Sequence, residues 1–264
     1  MSSAIWQLDT PTHEARLQAG RCRASIALLR PQRGLADWSL DTAPLDELIG
    51  VLGVQIPTDV PAASDDLPLT PEQLAIEPYV RGEDLVAAYF TSAEHLRRVE
   101  VYWRRSRVPD EHAVAASTLQ VSVQTELLDS PPFVLTRTEL RRPQSIQQLV
   151  DAQSGEFSAV GLATADQADL CDERGPCCLI VRFEQSEYSY VEMVHPLDRC
   201  ATQLHPAAAT GSLRIEHRLF GGHLEKGVIL RARVRGLIVE RDADVHSAAA
   251  AYRRFAQEKL PLTT

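Results

Sequence analysis

Apolar and polar residues alternate along much of the chain, which is the pattern of β-strands that bury one face. Leu119, Val121 and Val123, for example, alternate with polar residues. Segments of this kind, together with short apolar runs, are residues 21–29, 84–90, 99–104, 119–124, 133–140, 157–163, 178–184, 187–195, 212–220 and 224–240. The pattern therefore predicts a mainly β protein, built as a large antiparallel β-sandwich.

A few segments have the spacing of short amphipathic helices instead. Apolar residues recur at helical spacing from Leu45 to Leu52, and residues 143–151 repeat this pattern. Near the C terminus, Asp244 is a candidate cap for a helix over residues 244–260. The residues expected to face inward in that helix are Val245, Ala249, Tyr252 and Phe255.

The domain organisation follows from the breaks between these segments. Residues 57–69 are rich in Pro, Asp and Ser and predict a loop or linker. After this loop, the capping-box pattern at residues 70–73 predicts the start of one helical turn. No internal repeat is visible, and 264 residues is an ordinary length for one large β domain. We therefore expect a single β-sandwich domain over residues 1–264.

Two hairpins can be aligned from the sequence. Gly221-Gly222 is a turn signal between residues 212–220 and 224–235. The corresponding register places Ile215 opposite Val228 and two further apolar pairs on the same face, which favours this alignment. By the same reasoning, a turn at residues 185–186 places Val181 opposite Tyr190.

The composition narrows the range of partners. The formal net charge is −9, whereas nucleic acid binding needs clustered positive charge, so no nucleic-acid partner is expected. An acidic protein is not attracted to anionic lipid, and no apolar run is long enough to span a bilayer. Because the first residues lack the pattern of a signal peptide, we expect a soluble, cytoplasmic protein. The excess of arginine over lysine is typical of a GC-rich bacterial genome.

Motifs for common cofactors are absent from the sequence. It contains no Walker phosphate loop, no G-x-G-x-x-G, no H-E-x-x-H and no G-x-S-x-G. Cysteines and histidines are concentrated between Cys171 and His205, yet no C-x-x-C pair occurs and the spacings fit no zinc module. The sequence therefore predicts free thiols, no bound metal and no cofactor.

Candidate catalytic groups lie around the first hairpin. In its register Glu216 faces Gly227, and a carboxylate beside such a gap can act as a general base or accept a sugar hydroxyl. Arg214 flanks Glu216 on the same face, and the alternative is a solvated face with local ion pairs. His217 lies opposite Lys226 on an apolar face, where a desolvated amine is a functional candidate. The alternative is that both groups reach water at the rim of the sheet.

Further along, arginines recur at every second position of one strand, at residues 231, 233 and 235. Guanidinium groups bind carboxylates and phosphates, so Arg231 and Arg233 predict an anionic or polyhydroxylated ligand, held near Glu216. The alternative is an outer face paired to acidic residues of neighbouring strands.

Aromatic residues beside a carboxylate form another candidate binding surface. Tyr190 and Glu192 share one face of a strand, and such a pair can stack on a sugar ring and hydrogen-bond it. The alternative is that the tyrosine packs in the core against Phe183.

The succession of strands over residues 80–240, with a very long strand near its end, resembles the galactose-mutarotase-like β-supersandwich. That resemblance implies a fold found in sugar epimerases and in accessory domains of carbohydrate-active enzymes. None of the family's catalytic motifs matches a segment of this chain. Two functions remain open. The first is a non-catalytic β domain that binds a carbohydrate or a protein. The second is a small sugar-active enzyme, an epimerase or lyase, that uses Glu216, His217 or Lys226 as acid and base.

Overall fold

A computed structural model describes residues 5–57, 75–90, 97–161, 168–170, 175–207 and 209–259 of the chain. Over these ranges the protein forms three antiparallel sheets, two short 3-10 helices and one α-helix. The predicted loop at 57–69 lies almost entirely outside the described residues, and so does the predicted helical turn at 70–73. Within the described part of the chain, no helix is long and apolar enough to cross a membrane.

The strands fall into an N-terminal sheet, a nine-stranded large sheet and a five-stranded small sheet. The N-terminal sheet consists of β1 (Trp6–Asp9), β2 (Glu14–Ala19), β3 (Cys22–Ala27), β4 (Ala36–Leu40) and β5 (Ala43–Pro44). The small sheet has the order β14 (Ala168–Asp169), β17 (Arg199–Ala207), β18 (Ser212–Leu219), β11 (Val134–Arg141) and β6 (Leu48–Gln55). The large sheet has the order β13 (Glu156–Val160), β12 (Pro143–Asp151), β15 (Cys178–Phe183), β16 (Tyr188–Val194), β19 (Ile229–Glu240), β10 (Ala113–Thr125), β9 (Arg97–Arg105), β8 (Asp84–Phe90) and β7 (Ala75–Arg81).

One cluster of buried apolar residues joins all three sheets. It includes Leu17 of the N-terminal sheet, Ile215 of the small sheet and Val121 of the large sheet. Alternate residues of each strand point into this interior, as expected for a sandwich. The fold is therefore the mainly β, antiparallel sandwich that the alternation predicts.

A second apolar cluster lies on the outer side of the large sheet. There α1 (Asp244–Gln257) packs Ala248, Tyr252 and Phe255 against residues of β15, β16 and β19. The predicted C-terminal helix is thus confirmed, although Asp244 does not cap it. Its carboxylate instead accepts hydrogen bonds from Arg182 and Ser189 of the sheet, at 2.7 Å each.

The short helices predicted around residues 45–52 and over residues 143–151 are strands in the structure. Residues 48–55 form β6, whose residues 51, 52 and 54 are all buried because both of its faces are covered. Residues 143–151 form β12, where Ile146 points into the sandwich and Leu149 points towards α1. A spacing of three places two residues on opposite faces of a strand, so the helix-like pattern arose from a strand covered on both sides.

The hairpin predicted at Gly221-Gly222 is also wrong. β18 pairs with β11 and β17 in the small sheet, whereas β19 pairs with β10 and β16 in the large sheet. Ile215 lies opposite Thr138 and Leu204, and Val228 is exposed ahead of β19. The glycine turn carries the chain from one sheet to the other. In contrast, the predicted pairing of Val181 with Tyr190 in the β15–β16 hairpin is confirmed.

Candidate functional site

The structure separates the catalytic residues that the sequence grouped together. Glu216 and Arg214 lie on the outer face of the small sheet, where Glu216 is 3.3 Å from His205 Nε2. His217, the next residue, points into the sandwich and is completely buried. Lys226 lies in the exposed connection before β19 and pairs with Glu126 at 2.8 Å. These groups cannot act on one substrate, because their side chains occupy different environments.

The same separation applies to the predicted ligand residues. Glu216 does not share a face with Arg231 and Arg233, since these belong to different sheets. Tyr190 and Glu192 lie inside the sandwich, where each is 1% exposed, so neither is available to stack on a ligand at the surface. The alternative of core packing is the correct one for Tyr190.

Tyr190, Glu192 and His217 form an interior cluster with Thr138 and Thr202. His217 Nε2 lies 2.9 Å from Glu192 Oε1, and the other carboxylate oxygen accepts bonds from Tyr190 at 2.6 Å and Thr138 at 2.5 Å. Thr202 Oγ1 lies 2.9 Å from His217 Nδ1. The cluster connects the large sheet to the small sheet, and its polar groups satisfy one another.

Electrostatics keep His217, at the centre of this cluster, protonated. Burial by itself lowers the pKa of His217, but hydrogen bonds and charge interactions with Cys177 and Glu192 prevail and raise it to about 9. Burial raises the pKa of Tyr190, and the adjacent carboxylate adds to this effect. At neutral pH His217 is therefore an imidazolium held beside Glu192 with no opening to solvent, which is an arrangement for holding two sheets together.

A different polar surface covers the outer face of the large sheet. Register places Arg231, Arg233 and Arg235 of β19 opposite Ser122, Gln120 and Thr118 of β10, and these opposite Glu100, Tyr102 and Arg104 of β9. We call this set of nine side chains the polar face. Thr118, Gln120, Ser122, Tyr102 and Arg233 are all buried although they point away from the apolar interior. The predicted sharing of one face by the three arginines is confirmed.

The buried end of the polar face is organised around Arg233. Its guanidinium Nε lies 3.1 Å from Asp198 Oδ2, and both side chains are 5% exposed. Arg233 and Arg235 also lie over the ring of Phe255 in α1, at 5.9 and 4.3 Å. Arg233 and Arg235 are thus paired to acidic residues, but Asp198 lies in a turn and Glu258 follows α1, so the predicted pairing with neighbouring strands is not what occurs.

His195 and Asp198 at this end have pKa values displaced towards one another. Burial, reinforced by Arg233, lowers the pKa of His195, and burial raises the pKa of Asp198 against the opposing effect of Arg233. His195 Nδ1 accepts a long bond from the Leu197 N–H at 3.4 Å and lies 3.8 Å from Asp198 Oδ1. Displaced pKa values of this kind concentrate at functional sites.

The row of Glu100, Ser122 and Arg231 forms one end of the polar face. Glu100 is 20% exposed and accepts bonds from Tyr102 at 2.6 Å and Arg98 at 3.0 Å. Ser122 lies between Glu100 on one side and Arg231 on the other. This row brings together a carboxylate and a guanidinium that are partly exposed and a hydroxyl that is buried.

Sequence reasoning missed Glu100, Tyr102 and Gln120 as site residues. The alternation in residues 99–104 already placed Glu100 and Tyr102 on one face of their strand. The alternation in residues 119–124 placed Gln120 on one face of a second strand. What the sequence did not show is that these faces adjoin that of Arg231, because strand order is not encoded locally.

The described residues contain no group of three His, Cys, Asp or Glu side chains arranged to hold a metal ion. Cys177 and Cys178 are buried free thiols, as is Cys22. Cys171 and the side chain of Cys200 lie outside the described part of the chain. The cysteines and histidines between residues 171 and 205 therefore do not form one group: Cys177 and Cys178 are buried, whereas His205 lies on the outer face of the small sheet.

Comparison with known proteins shows likeness in structure alone. No protein-family model matches the chain, and no curated protein matches it. A putative aldose 1-epimerase from Escherichia coli K12 is 13% identical, with a TM-score of 0.57 over 85% of this chain and 98% of that one. A galactose mutarotase-like protein from Lactobacillus casei is 8% identical, with a TM-score of 0.55 over 84% of this chain and 99% of that one.

A GalM/aldose epimerase homologue from Caenorhabditis elegans is also similar. It is 8% identical, with a TM-score of 0.53 over 85% of this chain and 98% of that chain. At these identities the likeness concerns architecture and carries over no site residue. The fold of this chain therefore resembles that of aldose 1-epimerases and galactose mutarotase-like proteins.

Proposed function

We propose that this protein binds a sugar at the Glu100 end of the polar face and interconverts its anomers. The observation that carries this proposal is the row Glu100–Ser122–Arg231, which presents a carboxylate and a guanidinium on either side of a hydroxyl. Proteins of similar structure are named as a putative aldose 1-epimerase and a galactose mutarotase-like protein, and these names support the same chemistry.

The spacing of the row suits a single sugar ring. β9 and β19 lie on either side of β10, so Glu100 and Arg231 are separated by two strand spacings, or about 10 Å between backbones. A pyranose ring can lie over Ser122 between the two longer side chains. Buried Gln120 and Tyr102 form the neighbouring floor with polar atoms that can bond sugar hydroxyls.

The chemistry of anomer exchange needs little more than a positioned base. Glu100 accepts the proton of the anomeric hydroxyl, the carbonyl forms at C1, and the bond from C1 to the ring oxygen breaks. Arg231 donates a hydrogen bond to the ring oxygen and stabilises its developing negative charge. The proton on Glu100 then neutralises that oxygen, and the bond between C1 and C2 rotates. Glu100 takes the proton back as the oxygen attacks the other face of C1, and it returns the proton to the former carbonyl oxygen, which gives the second anomer.

The decisive experiment follows anomer exchange with and without the carboxylate. We expect the purified protein to accelerate the exchange of an aldohexose, measured by NMR magnetisation transfer between the two anomers. Glu100→Gln should lower kcat by at least about a hundredfold, because general base catalysis contributes 10²–10⁴-fold. Arg231→Gln should lower kcat/KM as well.

Glu156→Gln, an exposed carboxylate on β13 at the far edge of the same sheet, is the matched control and should leave the rate unchanged. Equal rates for Glu100→Gln and the original protein would remove Glu100 from the mechanism.

Non-catalytic carbohydrate binding is the second candidate function. It is favoured by the two bonds that Glu100 receives from Tyr102 and Arg98, since these bonds already occupy the oxygens that would have to accept a proton from the sugar. Calorimetric binding of a sugar without faster anomer exchange would establish this function instead.

A further inference from the structure

A cavity of about 230 Å³ lies on the opposite side of the sandwich from the polar face. It is enclosed by the 3-10 helix Pro31–Arg33 and by the outer faces of β6 and β11, the last two strands of the small sheet. Its lining includes Arg30, Gln32, Arg33, Gly50, Arg137 and Glu139. None of these residues belongs to the proposed sugar site.

Three guanidinium groups meet at this cavity, in a protein whose formal net charge is −9. Arg137 is buried, and its closest approach to Glu139 is 3.7 Å. Arg33 pairs with Asp37 at 3.0 Å, but both side chains are largely exposed. Among the described residues, Arg30 forms no ion pair. Positive charge at the cavity therefore exceeds the negative charge of the single carboxylate that lines it.

The cavity is held in shape by close backbone packing. A Cβ atom on Gly50 would overlap the carbonyl oxygen of Arg33, and one on Gly53 would overlap that of Gln32. Gly34 has a φ of +65° and touches the backbone of β6 in the same way. Leu35 and Val51 then exchange backbone hydrogen bonds at 2.8 and 2.9 Å. The segment with two of the arginines is thus fixed against the strand, which lowers the entropy cost of binding.

From this geometry we propose that the cavity is a second ligand site, which binds a small hydroxylated phosphate monoester. Guanidinium groups bind phosphate oxygens with paired, charge-assisted hydrogen bonds, and Arg30, Arg33 and Arg137 supply three of them. Glu139 cannot bind phosphate, but its oxygens accept hydrogen bonds from hydroxyl groups. The volume suits a molecule of a few carbon atoms and is below that of a typical drug-sized pocket.

Glycerol 3-phosphate is the probe for calorimetric titration, and glycerol is the probe without the phosphate. We expect the protein to bind glycerol 3-phosphate and not glycerol. Arg30→Gln and Arg33→Gln should each weaken binding by about tenfold or more, since each removes a charged hydrogen bond. Both residues are exposed, so these variants should fold normally.

Arg16→Gln is the matched control, because Arg16 is an exposed arginine on β2 and does not line the cavity. It should bind as the original protein does. Arg231→Gln should also leave glycerol 3-phosphate binding unchanged, which separates this site from the proposed sugar site. Absence of binding, or equal binding by Arg30→Gln, Arg33→Gln and Arg16→Gln, would overturn the proposal.

Glu139→Gln tests the charge balance independently. With inorganic phosphate as the probe, we expect this variant to bind several-fold more tightly, because a like charge is removed from the cavity. Weaker phosphate binding by Glu139→Gln would contradict the assignment of the three arginines as the anion-binding groups.

Discussion

The interior cluster and the polar face both combine a carboxylate with a basic residue, but they do so in different surroundings. The Glu192–His217 pair is at most 1% exposed and is enclosed by hydroxyl groups of both sheets. Glu100 and Arg231 are partly exposed at one end of a polar surface. The first arrangement satisfies its own charges and joins two sheets, whereas the charged groups of the second are partly accessible to solvent. Residue types alone do not distinguish a structural cluster from a binding site, since access decides which it is.

The comparison predicts the largest loss of stability inside the sandwich. Glu192→Ala should lower the free energy of unfolding by about 3–5 kcal/mol, because it leaves a buried imidazolium without its partner. Urea denaturation of the variant measures this loss. Glu126→Ala, which removes an exposed carboxylate from the pair with Lys226, is the control and should cost less than about 1 kcal/mol. Similar losses for the two variants would show that the cluster does not hold the sheets together.

A pH dependence of stability follows from the same cluster. The pKa of His217 rises on folding from an ordinary 6.5 to about 9. Its protonation therefore contributes fully below pH 6.5, and the contribution disappears as the pH rises through about 9. We expect the urea midpoint to fall between pH 6.5 and 9.5 by the equivalent of a few kcal/mol. His217→Gln should have a flatter profile over this range, and an equally steep one would assign the effect to other groups.

A substitution at the buried end of the polar face should cause a smaller loss of stability than one in the interior cluster. Arg233→Ala should lower the free energy of unfolding by about 2 kcal/mol, because Asp198 then loses a charged hydrogen bond inside the protein. Thermal or urea unfolding provides the measurement. Arg21→Ala is an instructive control, since its pair with Asp41 is shorter, at 2.6 Å, but highly exposed. We expect Arg21→Ala to change the free energy of unfolding only slightly. A larger loss than that of Arg233→Ala would contradict the argument from burial.

Much of the fold could be predicted from the sequence, since most of its elements depend on local patterns. Residues 84–90 match β8 residue for residue, and the β15–β16 register followed from apolar and aromatic pairs across a short turn. The C-terminal helix followed from helical spacing of Tyr252 and Phe255. The candidate site was only partly predictable: Arg231 was among the predicted ligand residues and Glu100 and Ser122 were not, while Arg233 is buried against Asp198.

The sequence by itself determined many of the strands, though not β6 and β12, and it determined which side chains share a face of those strands, because alternation is fixed by backbone geometry over a few residues. It did not determine which strands are neighbours. β18 and β19 follow one another around a glycine turn and yet belong to different sheets, because pairing with β11, β17, β10 and β16 buries more of each strand than a local hairpin would. Only the tertiary structure therefore decided that Glu216 and Arg231 lie apart, that His217 meets Glu192, and that Glu100 and Arg231 flank Ser122. Each of these relations depends on contacts between residues distant in the chain, and no local pattern records them.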